Sequence, residues 1–180
     1  MRRQVVVNAT VAHPVDRVFA YLADPLQWHE FAPACVFRRQ IGTQPPRVGT
    51  RWMATDRIGP FQFHFIDELA DLEPTRRVVW LSSAPWNSRV EYSCTPVDAG
   101  TSIRASYEGD ISGSLRLLTG WLPPGVVRWI LAQDFRRLDQ RLERAARAAS
   151  RWQQGYLADV AFADGVVTTA VDRADDVAGR

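Results

Sequence analysis

The chain contains no lysine: all 22 of its basic residues are arginine. So uniform a choice reads first as a codon-usage bias, which makes any one arginine weak evidence of phosphate recognition. Net charge is only +2, so no strong field draws the chain towards nucleic acid. There are two cysteines, Cys35 and Cys94, with no CxxC pair and no Cys/His cluster of zinc spacing. Two free, buried thiols in a reducing cytosol are expected, which places the chain in the cytoplasm. No apolar run approaches the roughly 18–20 residues of a membrane span. The basic start, Met1 to Asn8, carries an apolar stretch too short for a signal peptide. Asn8-Ala9-Thr10 matches a glycosylation pattern that has no meaning without secretion. A glycine-rich phosphate loop is missing, and no Ser-His-Asp or Cys-His arrangement can be argued from position. No metal and no cofactor is implied.

What the chain does have is aromatic bulk. Seven Trp and eight Phe stand in 180 residues, a length that suits one domain with a good-sized core. Large aromatics build cores, and they also line ligand pockets.

Residues 4–11 are rich in β-branched types and read as a strand. Ala12-His13-Pro14 breaks it, with His13 read as loop. Pro14 suits a first helical turn, and Val15, Val18, Phe19 and Leu22 recur at helical spacing. Asp24-Pro25 ends that helix and opens a short one from Leu26 to Phe31. Six candidate strands follow, at 36–43, 50–57, 61–72, 77–83, 88–96 and 101–109. Turn signals separate them: Pro45-Pro46 with Gly49, Gly59-Pro60, Pro74-Thr75, Ala84-Pro85 and Asp98-Ala99-Gly100. Links this short imply antiparallel neighbours.

Alternation assigns the faces. Phe61, Phe63, Phe65 and Leu69 share one face, opposite Gln62, His64 and Glu68, with Ile66 the exception. Val90, Tyr92 and Cys94 oppose Arg89, Glu91 and Ser93; Ile103, Ala105 and Tyr107 oppose Ser102, Arg104 and Ser106. Val78 and Trp80 lead the inner face of 77–83. A short helical lead-in is expected over 114–121, then a run free of Gly and Pro from Val126 to about Trp152. At 1.5 Å per residue such a helix spans roughly 40 Å, long enough to cross a sheet. Its apolar stripe is Val127, Ile130, Leu131, Phe135, Leu138, Leu142, Ala145, Ala146 and Ala149. The opposite face carries Arg136, Arg137, Arg141, Arg144 and Arg147 with Asp139 and Glu143. It reads as a solvated, ion-paired face, or as a dock for a membrane or an acidic carrier protein. Residues 153–180 hold five Asp and two Arg among small residues and read as a weakly ordered tail or a short hairpin turning at Asp164-Gly165.

The fold class is therefore α+β, with the domain at 1–152 and the tail at 153–180. The order of one strand, two short helices, six antiparallel strands and a long helix resembles the helix-grip superfamily. This superfamily groups polyketide cyclases, START lipid-transfer domains and pollen-allergen-like proteins and is often called SRPBCC. Three segments carry the resemblance: Ala12 to Pro25, Leu69 to Trp80, and Thr95 to Ile103. It covers residues 4 to about 150 and is closest in kind to the polyketide cyclase/dehydrase branch. Members often carry a Trp near Phe31; here Trp28 lies one turn earlier. The resemblance implies about seven strands curved around the helix, with an apolar cavity between them.

The inward residues predict the cavity lining: Trp28, Trp52, Phe63, Phe65, Trp80, Tyr92, Tyr107, Phe135 and Leu138. Asp67 is the informative position. Strict alternation points it inward among phenylalanines, where burial should raise its pKa and suit it to acid–base work. The alternative is a bulge near 66–68 that turns it outward. Tyr92 and Tyr107 could steer a ligand carbonyl, as the cyclase resemblance implies, or could simply pack with locally satisfied hydroxyls. His64 reads as a surface residue, and His29 flanks the expected entrance. The candidate catalytic residues are Asp67, Tyr92 and Tyr107. Three functions follow. The first is carriage of a small hydrophobic ligand (lipid, isoprenoid or polyketide-like). The second is a cyclase, aromatase or dehydratase acting in the same cavity. The third is an interaction module using the basic helix face. Converging polar groups in the lining would favour catalysis, and a uniformly greasy lining would favour carriage.

Overall fold

The computed structural model describes residues 3–109, 125 and 128–150. The expected lead-in over 114–121 and the tail over 153–180 lie outside the described residues, as do the side chains of Val126 and Val127. The described residues up to Leu142 form one compact unit, and those from Glu143 on belong to a second.

Seven strands form one antiparallel sheet: β1 (Arg3–Val11), β2 (Cys35–Gln40), β3 (Arg51–Ile58), β4 (Phe61–Glu73), β5 (Arg77–Ser82), β6 (Ser88–Val97) and β7 (Gly100–Gly109). Their spatial order is β1-β7-β6-β5-β4-β3-β2. Each sequential pair from β2 to β7 is a hairpin, and β1 joins β7 at the far edge. Between β1 and β2 stand helix α1 (Val15–Ala23) and a 3-10 helix (Pro25–Glu30). The Asp24 side chain caps the latter by accepting the Leu26 N–H at 3.0 Å. Helix α2 runs over 128–150.

The inner sheet face is the one alternation predicts. Val5, Val7, Trp52, Leu69, Val78, Trp80, Cys94, Ile103 and Ala105 are buried against Val18, Phe19 and Leu22 of α1 and Phe135, Leu138 and Leu142 of α2. The α2 stripe thus holds from Leu131 to Leu142, while Ile130 at its start is exposed. Val79, on the opposite face, is also buried, between its cross-strand partners Asp71 and Glu91. That is why β5 shows no clean alternation in sequence.

Two irregularities position the site. β2 and β3 slip register between Cys35 and Phe37, leaving Val36 as the extra residue. β4 and β5 slip between Leu69 and Asp71, leaving Ala70 extra. The second bulge therefore falls beyond Asp67, not at 66–68. Phe65, Asp67 and Leu69 keep their inward alternation, and the bulge turns Leu72 inward in its turn.

His13 lies in the β1–α1 loop, as expected, and is buried there. Thr101 Oγ1 donates to its carbonyl at 2.7 Å, and its Nε2 stands 3.8 Å from Asp139 Oδ1 on α2. Asp139 also accepts the Ala12 N–H at 3.0 Å, so it faces the β1–α1 turn and not the solvated arginine face.

Gly100 is the turn residue the fold tolerates least well as anything else. Its φ is +123°, and a Cβ would lie 2.3 Å from the Val11 carbonyl oxygen. Gly42 also has positive φ, but open space around it. Gly100→Ala should therefore lose about 2 kcal/mol or more in urea denaturation, and Gly42→Ala only about 1 kcal/mol, the backbone strain alone. Equal losses would mean that the close approach to β1 is not tight.

Candidate functional site

Between the inner sheet face and α2 lies a cavity of about 230 Å³. Its apolar walls are Phe31, Phe65, Trp80, Val90, Ala105, Leu131 and Phe135. Its polar wall is built where β2, β3, β4 and β5 run side by side. Register puts Trp52, Asp67 and Ser82 in one row across β3, β4 and β5, and Arg38, Ala54 and Phe65 in the next row across β2, β3 and β4. Small Ala54 leaves room for the long Arg38 side chain to reach over it.

Arg38 is the hub. Its Nη2 donates to Asp56 Oδ1 at 2.8 Å and contacts Cys35 Sγ at 3.6 Å. Its Nη1 donates to the Phe37 and Thr55 carbonyls at 2.9 and 3.2 Å. Its Nε stands 2.9 Å from Asp67 Oδ2, an ion pair that lies off the N–H axis, since neither atom makes a directed hydrogen bond. The guanidinium makes cation–π contacts with both Trp28 and Phe65, at 5.5 and 5.2 Å from the ring centroids. Only 4% of the side chain is exposed.

Asp67 is 1% exposed. Ser82 Oγ donates to its Oδ1 at 2.7 Å. Burial lifts its carboxyl to about 6, against the opposing pull of Arg38 and the Ser82 bond. Burial likewise raises Asp56, again opposed by Arg38. On the helix side Asp134 is lifted to about 6 by burial, with Arg137 Nη1 at 2.9 Å holding it down. Tyr92 is pushed well above its ordinary range by burial and stacks edge-on against Phe135 at 6.3 Å. Tyr107 is also raised by burial, and its hydroxyl shares a hydrogen bond with Ser88. Gly109, opposite Ser88, leaves the space the Tyr107 ring fills. Burial raises both thiols, Cys94 to about 11, so neither is a ready thiolate. Both are unbridged, and Cys35 lines the cavity.

The structure brings Asp67, Tyr92 and Tyr107 into one lining with Trp28, Phe65, Trp80 and Phe135. Three expected lining residues stand elsewhere. Trp52 packs edge-on behind Trp80 at 5.2 Å, Leu138 is sealed in the core, and Phe63 stands behind Trp86 at 5.5 Å. His64 is exposed and shares a hydrogen bond with Thr55 at 2.9 Å. His29 is exposed and bonded to the Leu26 carbonyl. Arg89 pairs with Glu91 along β6 itself. The basic α2 face is largely ion-paired: Arg137 with Asp134, Arg141 with Glu30, and Arg147 with Glu143.

Sequence reasoning missed Arg38, Asp56, Ser82, Trp86 and Asp134. Asp56 was visible by alternation, since Trp52, Ala54 and Asp56 share a face. Asp134 was visible by helical spacing, lying between Leu131 and Leu138. Arg38 carries no such signal, because the bulge at Val36 disrupts alternation at the start of its strand.

Residues 2–147 match the family described as polyketide cyclase/dehydrase and lipid transport. The chain belongs to this family. Among solved structures, it is similar to a protein of Thermus thermophilus, at 12% identity and TM-score 0.66, covering 79% of this chain and 99% of that one. It is similar to the Zhui aromatase/cyclase from Streptomyces, at 22% identity and TM-score 0.62, covering 83% and 98%. It is also similar to the di-domain aromatase/cyclase StfQ of the steffimycin biosynthetic pathway, at 16% identity and TM-score 0.62, covering 81% of this chain and 52% of that one. Among curated proteins no sequence matches. At these identities the likeness establishes the fold, and the fold is the helix grip. Among the described residues, no helix is long and apolar enough to cross a membrane, and no cluster of three His, Cys, Asp or Glu is placed to hold a metal.

Proposed function

We propose that this family member binds a small, mostly apolar, carbonyl-bearing molecule and moves protons on it, as in the cyclisation or dehydration of a polyketide-like chain. The observation that carries this reading is the convergence of Arg38, Asp56, Asp67 and Ser82 on one wall of an otherwise apolar cavity. A buried carboxylate and guanidinium are expensive to desolvate, and burying them adds nothing to the carriage of a greasy ligand. A carboxyl near 6 that is ionised at neutral pH suits a general base.

In this reading Asp67 takes a proton from a carbon next to a ligand carbonyl. The C–H bond breaks, the carboxyl O–H forms, and the electron pair moves into the enolate. The apolar walls hold the chain folded so that the enolate carbon meets a second carbonyl, and the new C–C bond leaves an alkoxide. That alkoxide recovers the proton from Asp67. Tyr92 stays neutral across the working pH range and can donate to a developing oxyanion. Arg38 is a positioning residue: its contacts fix the Asp67 carboxylate and keep it ionisable.

The apolar remainder of the walls favours a second reading, carriage without chemistry. The two separate on one measurement. An aryl methyl ketone deuterated at the methyl group is incubated with the protein and followed by proton NMR. Proton transfer predicts deuterium wash-out well above buffer. Binding of the ketone with wash-out at the buffer rate would leave carriage as the function.

A further inference from the structure

We infer that the cavity selects uncharged molecules bearing hydrogen-bond acceptors and excludes free carboxylates and phosphates. The inference rests on the cavity being a ligand site, and it names the chemical class that fits. Two independent observations carry it.

The first is that the cavity's arginine has no pair of donors left to offer an anion. A guanidinium has five N–H donors. Four of those of Arg38 are committed to Asp56 and Cys35 and to the Phe37 and Thr55 carbonyls, and the fifth, on Nε, is ion-paired with Asp67 at 2.9 Å, off the N–H axis. Two aromatic rings, Trp28 and Phe65, lie against it. Among the described lining residues it is the only cation, set against the carboxylates of Asp56, Asp67 and Asp134. A carboxylate or phosphate entering here would meet an excess of negative charge and no free donor pair. An unpaired anion in such a site is strongly disfavoured.

The second observation concerns donors that do remain. Trp28 and Trp86 both line the cavity, and the Nε1 atom of each is buried without a hydrogen-bond partner. An indole N–H can only donate. By contrast, the Nε1 of Trp80, in the same lining, donates to the Leu22 carbonyl at 3.2 Å. Trp28 comes from the 3-10 helix and Trp86 from the β5–β6 loop, so the two donors reach the cavity from separate elements. A ligand with carbonyl or ether oxygens satisfies them; a hydrocarbon leaves them unpaired, and a buried unpaired donor is costly. Ligands of this class are ketones, quinones, lactones and thioesters, not fatty acids or isoprenyl phosphates.

The test uses three probes of matched shape: acetylnaphthalene, naphthoate and ethylnaphthalene. Each is titrated into the full chain at pH 8 by calorimetry, on wild type, Trp28→Phe and Trp86→Phe. The ketone is expected to bind at least tenfold more tightly than either the acid or the hydrocarbon. Its advantage over the hydrocarbon should shrink severalfold in either variant, each of which keeps a ring and removes the N–H. Melting temperatures at or above wild type would show the variants folded. Naphthoate binding as tightly as the ketone would overturn the inference, and so would equal binding of ketone and hydrocarbon. Failure of all three probes to bind would overturn the ligand-site reading itself, a distinct outcome from the other two.

Discussion

Arg38→Met should lower the unfolding free energy by about 3–5 kcal/mol at pH 8, the range for removing one partner of a buried ionic network. Methionine keeps much of the apolar stem and removes the guanidinium that contacts Trp28 and Phe65, so the loss reports mainly on charge. What remains is a pair of buried carboxylates, Asp56 and Asp67, with no cation between them. Both are already raised by burial and held down by Arg38. Without it their pKa values climb further, and the folded state answers by taking up protons. The sign follows from linkage: a carboxyl whose folded pKa lies above its unfolded one contributes stability that is complete below the unfolded pKa and is lost as pH rises through the folded pKa. The penalty of Arg38→Met should therefore shrink on going from pH 8 to pH 5. Adding Asp56→Asn and Asp67→Asn should recover more than half of it at pH 8. Urea denaturation at the two pH values measures both effects. A loss that is the same at pH 5 and pH 8, with no rescue by the amides, would mean that the network is not electrostatically coupled.

Asp67→Asn should cut wash-out of ketone deuterium by about 10²–10⁴-fold, the usual contribution of a general base. Stability moves the other way. Burial lifts Asp67 to about 6, so its favourable contribution is full below about pH 4 and disappears as pH rises past 6. Asparagine accepts the Ser82 hydroxyl in the same place and never ionises. The variant should thus gain on wild type as pH rises from 4 to 8, and be the more stable protein at pH 8 while being the less active one. That opposition is what separates a residue held for chemistry from one held for packing, since a packing residue loses both together. Wild-type wash-out in Asp67→Asn would remove Asp67 from the reaction.

How much of this was legible beforehand differs between fold and site. Strand positions, turns and the long helix followed from Pro14, Gly59, Pro74 and Gly100 and from the alternation of Tyr92, Ile103 and their neighbours, because turn chemistry and pleat are local. The inward direction of Asp67 was legible too, but it hung on where a bulge fell, and nothing in Ile66 to Ala70 announces a slip at Ala70 over one at Ile66. Arg38 was not legible. Its direction depends on a second bulge, at Val36, and its meaning on partners 18 and 29 positions away that only the strand register brings together. The lining was over-read where Trp52 and Leu138 face inward but are sealed behind other side chains. Facing in is a property of a strand or helix; lining a cavity is a property of the whole packed layer.

The pH dependence of ketone proton exchange, corrected for buffer catalysis, bears most directly on Asp67 as the working base. Asp134 is also lifted to about 6, so the profile is recorded on wild type, Asp67→Asn and Asp134→Asn. The rate should rise through an apparent pKa near 6 and level off above it, because the base acts when ionised. The inflection should persist in Asp134→Asn and vanish in Asp67→Asn. A flat wild-type profile, or an inflection that survives Asp67→Asn, would contradict it.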